Sequence, residues 1–205
     1  MDQFSLFENS PTKSLLTVGG VAQYTPHFFS AKESESYFKI LRQDIAWRAD
    51  EITLYGKTHP IPRLQAWYGE SHTTYRYSSL TLEPLAFTQT LLEIKESVES
   101  ASHHKFNCVL ANLYRTGRDY AAWHSDDEVV LGDNPTIASV SFGATRKFRL
   151  KHKTDRGLAP IDLDLEQGSL LVMSGQTQRN YKHQLVKTAR EVGERINLTF
   201  RFIEN

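Results

Sequence analysis

Apolar and polar residues alternate without interruption near the end of the chain. Ile196, Leu198, Phe200 and Phe202 fall on one side, and Arg195, Asn197, Thr199 and Arg201 on the other. Period-two alternation predicts a strand with one packed face and one polar face. Two guanidiniums and an amide on one face suit a small dicarboxylate, because arginine grips carboxylates through paired hydrogen bonds. The backbones of Arg195 and Arg201 would lie roughly 20 Å apart at about 3.3 Å per residue, so both side chains must lean inward to reach one small ligand. An ordinary half-exposed strand alternates in the same way, so this face does not by itself define a site.

Upstream the pattern changes twice. Residues 1–20 keep no stable period and end in Gly19-Gly20, which predicts a loosely held arm. Ser30 followed by Glu33 is a capping-box signature, and Tyr37, Phe38, Leu41 and Ile45 recur at helical spacing, predicting a helix over 31–45. A second helix is predicted from about residue 83, with Pro84 in its first turn, to about residue 98. From Phe106 onward the chain reads as short strands at 108–115, 136–142, 147–152, 161–165, 169–173, 181–186 and 195–203. Turn signals separate them, among them Thr116-Gly117, Gly132-Asp133-Asn134-Pro135 and Gln167-Gly168. Many short strands after two helices predict an α+β, mainly β fold, a double-sheet barrel or jelly roll backed by N-terminal helices.

Composition narrows the classes. A chain of 205 residues is long enough for one substantial core and short for two, so residues 21–205 are expected to form one domain. Basic and acidic residues balance at 24 each, so attraction to a polyanion has to come from a local basic face. The single Cys108 has no partner for an internal disulfide and lies in the apolar run Cys108-Val109-Leu110-Ala111, the setting of a small buried hydrophobe. The N-terminus carries no basic leader followed by an apolar stretch, and no run approaches the ~20 apolar residues of a membrane span. A cytoplasmic, monomeric protein is expected.

The candidate chemistry lies in His124-Ser125-Asp126 and in His183. On an extended strand residues two apart project to the same side, so His124 and Asp126 can aim two ligands at one metal, and His183 would supply the third. Two imidazoles and one carboxylate cover one face of an Fe(II) ion and leave the opposite positions open, the geometry of an oxygenase.

Five motifs then occur in order: Asn112-Leu113-Tyr114, Trp123-His124-Ser125-Asp126-Asp127-Glu128, Ile137-Ala138-Ser139-Val140-Ser141-Phe142-Gly143, Gly168-Ser169-Leu170-Leu171-Val172-Met173, and Arg195-Ile196-Asn197-Leu198-Thr199-Phe200-Arg201. With these the stretch from Phe106 to Asn205 resembles the AlkB family of Fe(II)- and 2-oxoglutarate-dependent dioxygenases. Upstream, Pro62-Arg63-Leu64-Gln65-Ala66-Trp67-Tyr68-Gly69-Glu70 and Tyr75-Arg76-Tyr77-Ser78 resemble the nucleotide-recognition part, about residues 50–80, of its nucleic-acid demethylases. The resemblance implies a double-stranded β-helix, iron ligands at His124, Asp126 and His183, and 2-oxoglutarate contacts from Asn112, Tyr114, Arg195, Asn197, Thr199 and Arg201. It implies O₂ as the second co-substrate, conversion of 2-oxoglutarate to succinate and CO₂, and removal of an N-methyl group from N1-methyladenine or N3-methylcytosine as formaldehyde. That is direct-reversal repair of alkylated DNA, single- or double-stranded.

Chemistry on a base requires it to leave the stack and to be held between flat side chains. Trp67, Tyr75 and Tyr77 are candidates, with Arg76 and Ser78 interleaved, although Trp67 could equally be core. By resemblance Asp127 helps to recognise the base, although on an extended strand it would face away from the ligands. The insertion Leu54-Tyr55-Gly56-Lys57 looks like the finger by which a duplex-acting relative fills the hole left by a flipped base. A simple hairpin turn is the alternative. Two basic segments, Arg146 to Arg156 and Lys57-His59-Arg63, could track phosphates, although charged strands are more often just solvated. Two other readings remain open: the same chemistry on RNA or a protein side chain, and a jelly-roll metal-binding module without turnover.

Overall fold

In the computed structural model of the protein, which describes residues 12–54, 56–77 and 80–204, strands dominate. The N-terminal ones are β1 (Lys13–Ser14), β2 (Val21–Thr25), β3 (Glu51–Leu54), β4 (Lys57–Pro60), β5 (Leu64–Gly69), β6 (Tyr75–Tyr77) and β7 (Leu80–Leu82). The C-terminal ones are β8 (Cys108–Tyr114), β9 (Ala121–His124), β10 (Ile137–Gly143), β11 (Arg146–His152), β12 (Ile161–Leu165), β13 (Ser169–Ser174), β14 (Tyr181–Leu185) and β15 (Arg195–Arg201). Seven strands form one sheet in the order β1-β2-β13-β10-β15-β8-β5, and four form a second in the order β12-β11-β14-β9. The pairings within both are antiparallel. Two facing antiparallel sheets of this kind are the jelly roll, or double-stranded β-helix, that the chain was expected to form.

Each face of the larger sheet has its own core. Ile196, Leu198 and Phe200 of β15 pack with Val140 and Phe142 of β10 against Leu41 and Ile45 near the first helix and Leu91, Ile94 and Val98 of the second. The opposite face meets the smaller sheet, with Leu110, Tyr114, Ile137 and Met173 packing against Phe148, Leu150 and Leu185. The helices thus cover one side of the larger sheet, and the smaller sheet encloses the interior on the other.

The first helix, α1 (Ala31–Asp44), starts as its signature requires. The Ser30 side chain accepts from the Glu33 amide, and the Glu33 carboxylate accepts from the Ser30 amide. The second, α2 (Gln89–Ser102), starts later than expected, with Thr88 as its N-cap. Residues 80–85 are drawn into extended pairing instead: the Leu85 amide donates to Trp67 O and its carbonyl accepts from the Gly69 amide. Ladder bonds to β5 win over helix propensity, and Pro84 lies outside the helix.

Two further expectations are corrected. Residues 12–20 are not a loose arm. Lys13 and Ser14 pair with β2, Leu16 is buried, and Gly19 and Val18 accept hydrogen bonds from Asn180 and Tyr181. Residues 1–11 lie outside the described part. The alternation of the last strand stops at Arg201, so Phe202 is 48% exposed, and Ile203 turns inward in its place. Among the described residues no helix is long and apolar enough to cross a membrane.

Candidate active site

The site lies between the two sheets. In β14 and β9, His183 stands directly opposite His124, and cross-strand partners share a face. Their Nε2 atoms are 3.1 Å apart, and Asp126 Oδ2 lies 3.6 Å from His183 Nε2. β9 ends at His124, so Asp126 is placed by the following connection rather than by a continuing strand. That connection is held firmly: the Asp126 amide donates to Gln178 Oε1 at 3.0 Å and Ser125 Oγ donates to Tyr181 O at 2.9 Å. His124 Nδ1 donates to Ala122 O at 2.7 Å, which fixes the tautomer and turns the Nε2 lone pair toward His183 and Asp126.

The three side chains offer ligand atoms within 4.8 Å of one another, the one such group of histidine, cysteine, aspartate and glutamate among the described residues. Burial opposes ionisation of Asp126, but Arg201, which donates to Asp126 Oδ1 at 2.5 Å, and the two imidazoles hold the carboxyl well below the usual range. Burial, reinforced by His124, pushes His183 down to about 3 despite the adjacent Asp126 carboxylate. An ionised Asp126 and a neutral His183 are in the protonation states that ligate a divalent metal.

Two cavities meet at this cluster and share Arg63, Leu110, Ala121, His124, Asp126 and Arg201. The inner one runs between the sheets past Asn112, Tyr114, Asn197 and Thr199 to Arg195. Arg195 is 1% exposed, its Nη2 donates to Ser141 Oγ at 2.9 Å, and the Tyr114 ring lies 5.3 Å from its guanidinium carbon. Its Nε and Nη1 are buried without a hydrogen bond of ordinary geometry. Burial lowers its pKa to about 10, which still leaves it cationic at neutral pH. A buried cation with Ser141 and Tyr114 beside it but no carboxylate partner among the described residues calls for an anion, and a carboxylate suits the fork of a guanidinium. The outer cavity is lined further by Gln65, Leu82, Ala122, Trp123 and Glu128.

The chain belongs to the AlkB family of Fe(II)- and 2-oxoglutarate-dependent dioxygenases. Residues 21–201 match the family described as the 2OG-Fe(II) oxygenase superfamily. The bovine (Bos taurus) alpha-ketoglutarate-dependent dioxygenase alkB homolog 3 is 41% identical over 186 residues, covering 87% of this chain and 64% of its own length. The mouse (Mus musculus) DNA oxidative demethylase ALKBH2 is 38% identical over 184 residues, covering 85% of this chain and 77% of its own. This chain therefore spans a little under two thirds of the first of these relatives. Among solved structures, that of OsALKBH1 superposes with a TM-score of 0.64 at 16% identity, over 94% of this chain and 100% of the other, and shows the shared fold.

Most residues expected at the centre converge there. His124, Asp126 and His183 come together, and Asn112, Tyr114, Arg195, Asn197, Thr199 and Arg201 line the inner cavity. Arg63 reaches both cavities and donates from Nε to Asn112 Oδ1 at 2.7 Å. Trp67 is a core residue instead, 2% exposed with its indole N–H on Thr73 O, because its parity on β5 turns it between the sheets. Asp127 points away from the cavities and pairs with Lys153, since the connection after β9 makes no turn that would bring it round. Gly56, at a φ of +76°, and Lys57 lie at the turn of the β3–β4 hairpin, where Leu54 pairs with Lys57. Tyr55 and Ser78 lie outside the described residues, and of Tyr75, Arg76 and Tyr77 only the backbone, as β6, is described.

Several contributors were not singled out. Ser139 and Ser141 on β10 hold Asn197 and Arg195, and their signal was two serines alternating with buried Val140 and Phe142. Gln178 orients Asp126, and no local pattern marks a glutamine in a four-residue helical turn.

Proposed function

We propose that the protein removes N-methyl groups from alkylated nucleobases in DNA, such as N1-methyladenine and N3-methylcytosine, using Fe(II), 2-oxoglutarate and O₂ and releasing formaldehyde, succinate and CO₂. The observation that carries this reading is the meeting of two cavities at the His124-Asp126-His183 cluster: an inner one ending on a buried, incompletely satisfied guanidinium and an outer one open to a second molecule. Such an arrangement brings a dicarboxylate and a separate substrate to one metal, which a purely structural metal site does not need. The relatives, one of them a DNA oxidative demethylase, support the substrate class.

In this reading His124, Asp126 and His183 hold the iron. When bound, iron and 2-oxoglutarate would supply, with O₂ as the oxidant, oxidation of the substrate N-methyl carbon, which then leaves as formaldehyde. Arg195 holds the carboxylate far from the metal, with Ser141 and Tyr114 orienting its guanidinium. Asn112, Tyr114, Asn197 and Thr199 line the path between. Arg201 does two things at once: it keeps Asp126 ionised and presents positive charge next to the metal. The region of about residues 50–80 is the base-recognition part, with Arg63 at the join of the cavities.

The test is mass spectrometry of single- and double-stranded methylated oligonucleotides incubated with the protein, iron, ascorbate and 2-oxoglutarate. Loss of 14 Da per lesion, the ~mass of a CH₂ unit, with matching formaldehyde is expected because direct reversal restores the unmodified base. Succinate formation with every lesion intact would move the substrate to RNA or protein.

A further inference from the structure

The outer face of the smaller sheet carries charge that the catalytic centre does not use. Strand β11 and the residue after it contribute a cluster of basic residues, and most already have partners. Arg146 is buried and donates to the carbonyls of Thr116, Gly117, Asp119 and Val186. Lys147 pairs with Asp164, Arg149 with Asp162, and Lys153 with Asp127. Lys151 differs: its Nζ sits 4.2 Å over the ring of Trp123, with no carboxylate partner among the described residues. Lys182 of β14 stands directly opposite Lys151 in the ladder, is exposed, and likewise has no acidic partner among the described residues. Leu150 and His183, the adjacent pair in the same ladder, point inward, so both ammoniums point outward. Like charges directly across an antiparallel pair destabilise it unless an anion lies between them. Trp123 is half-buried, precedes the metal ligand His124 in sequence, and lines the outer cavity. A cationic pair and an indole therefore lie together, and the indole lines the outer cavity.

We propose that Trp123, Lys151 and Lys182 form a track for the single-stranded segment beside the target nucleotide, each ammonium meeting one of two successive backbone phosphates and the neighbouring base stacking on the indole. This rests on the reading of the centre as a nucleobase demethylase and adds where the rest of the strand runs. Stacking on an aromatic face tolerates any base, and ammoniums read the phosphate rather than the sequence, so the track binds single strands without sequence preference. Duplex DNA has its bases stacked inside and offers Trp123 no free face.

The experiment is fluorescence anisotropy of a labelled, lesion-free single-stranded DNA oligomer with the iron- and 2-oxoglutarate-loaded protein under nitrogen, across a salt series. Replacing Lys151 and Lys182 together by Gln removes two phosphate contacts and flattens the plot of log affinity against log salt by about 1.4, at ~0.7 per single-strand contact. Trp123→Leu weakens binding about tenfold while leaving the salt slope unchanged, because stacking releases no counterion. A lysine double variant that melts with the wild type and keeps its affinity and slope overturns the track. If that variant melts early, the single Lys182→Gln variant, altered at an exposed position, decides, with an expected loss of about 0.7 in slope. Formaldehyde release by the wild type tests the demethylase reading separately. A slope loss without formaldehyde leaves the track standing and removes the demethylase, whereas formaldehyde with an unchanged slope does the reverse.

Discussion

Arg195 and Arg201 stand on the same strand face, yet their partners make them different residues. Arg201 donates to a metal-ligand candidate, and Arg195 is held by Ser141 and lies against Tyr114 with no carboxylate partner among the described residues. Arg195→Ala should raise the apparent Michaelis constant for 2-oxoglutarate, since a charge-assisted contact is typically worth about 1.5–3 kcal/mol. Arg201→Ala should also lower iron affinity, because Asp126 loses the cation that keeps it ionised. Titrating each variant with both ligands separates the two effects, and equal losses in both variants would refute this division. Asp126→Asn is the gentler probe of the metal site, since an amide oxygen can still accept from Arg201 where alanine would leave a buried guanidinium unpaired. Its succinate production should vanish while its fold persists by circular dichroism.

At the level of elements, the helix–strand corner around Glu99 provides a stability prediction. Glu99 sits near the end of α2, 7% exposed, and accepts from Lys95, Lys105 and the Phe106 amide just before β8. Burial raises its pKa, but those donors outweigh it and hold the group below its ordinary 4.5. A folded pKa below the unfolded one means the unfolded chain binds more protons in that window. The stabilisation is therefore full above about pH 4.5 and is lost as pH falls through the folded value. Glu99→Gln should be less stable at neutral pH and lose less on acidification below 4.5, measured by urea unfolding at several pH values; parallel curves for variant and wild type would contradict it. The β3–β4 hairpin carries a functional prediction. Leu54 pairs with Lys57, Gly56 between them has a positive φ, and the residues of β4 are all exposed. If this turn fills the gap left by a flipped base, Tyr55→Ala should cost activity on methylated duplex far more than on the same lesion in a single strand. Equal losses would remove the finger from the mechanism.

Elements also show what a linear sequence can carry. The alternation in 195–201 located both a core face and a ligand face because a strand's two sides are fixed by parity alone. The same parity, applied to Trp67, could not tell whether its side met solvent or a second sheet, and the second sheet was there. The start of α2 was missed because Leu85 forms ladder bonds with residues nearly twenty positions earlier, a non-local gain that no window of sequence contains. Asp126 was correctly aimed but for a different reason, since Gln178, 52 residues away, holds it where β9 has already ended.

For the molecule as a whole, the centre is a place where folding leaves charge unsatisfied. Arg195 lines the inner cavity as a buried cation with no carboxylate partner among the described residues, and His124, Asp126 and His183 crowd lone pairs into one small space, both sandwiched between sheets that bring these residues together only in the native state. Ligands that match those groups bind the folded chain and not the unfolded one, so they must raise its stability by mass action. At a hundred times its dissociation constant each ligand contributes about 2.7 kcal/mol. For a chain of this length that corresponds to a rise of roughly 5–10 °C in melting temperature, at about 2–4 °C per kcal/mol. Manganese(II), which binds such oxygen- and nitrogen-rich sites without turnover, should give one increment, and 2-oxoglutarate added after it a second. Chelation should reverse both, because the co-substrate needs the metal at one end. In Arg195→Met the manganese increment should survive and the 2-oxoglutarate increment shrink, since the far carboxylate then meets a thioether. In Asp126→Asn both should fall together. If 2-oxoglutarate stabilises the metal-free protein as much as the metal-loaded one, the ligand of the inner cavity does not reach the metal, and the reading of the two cavities as one centre fails.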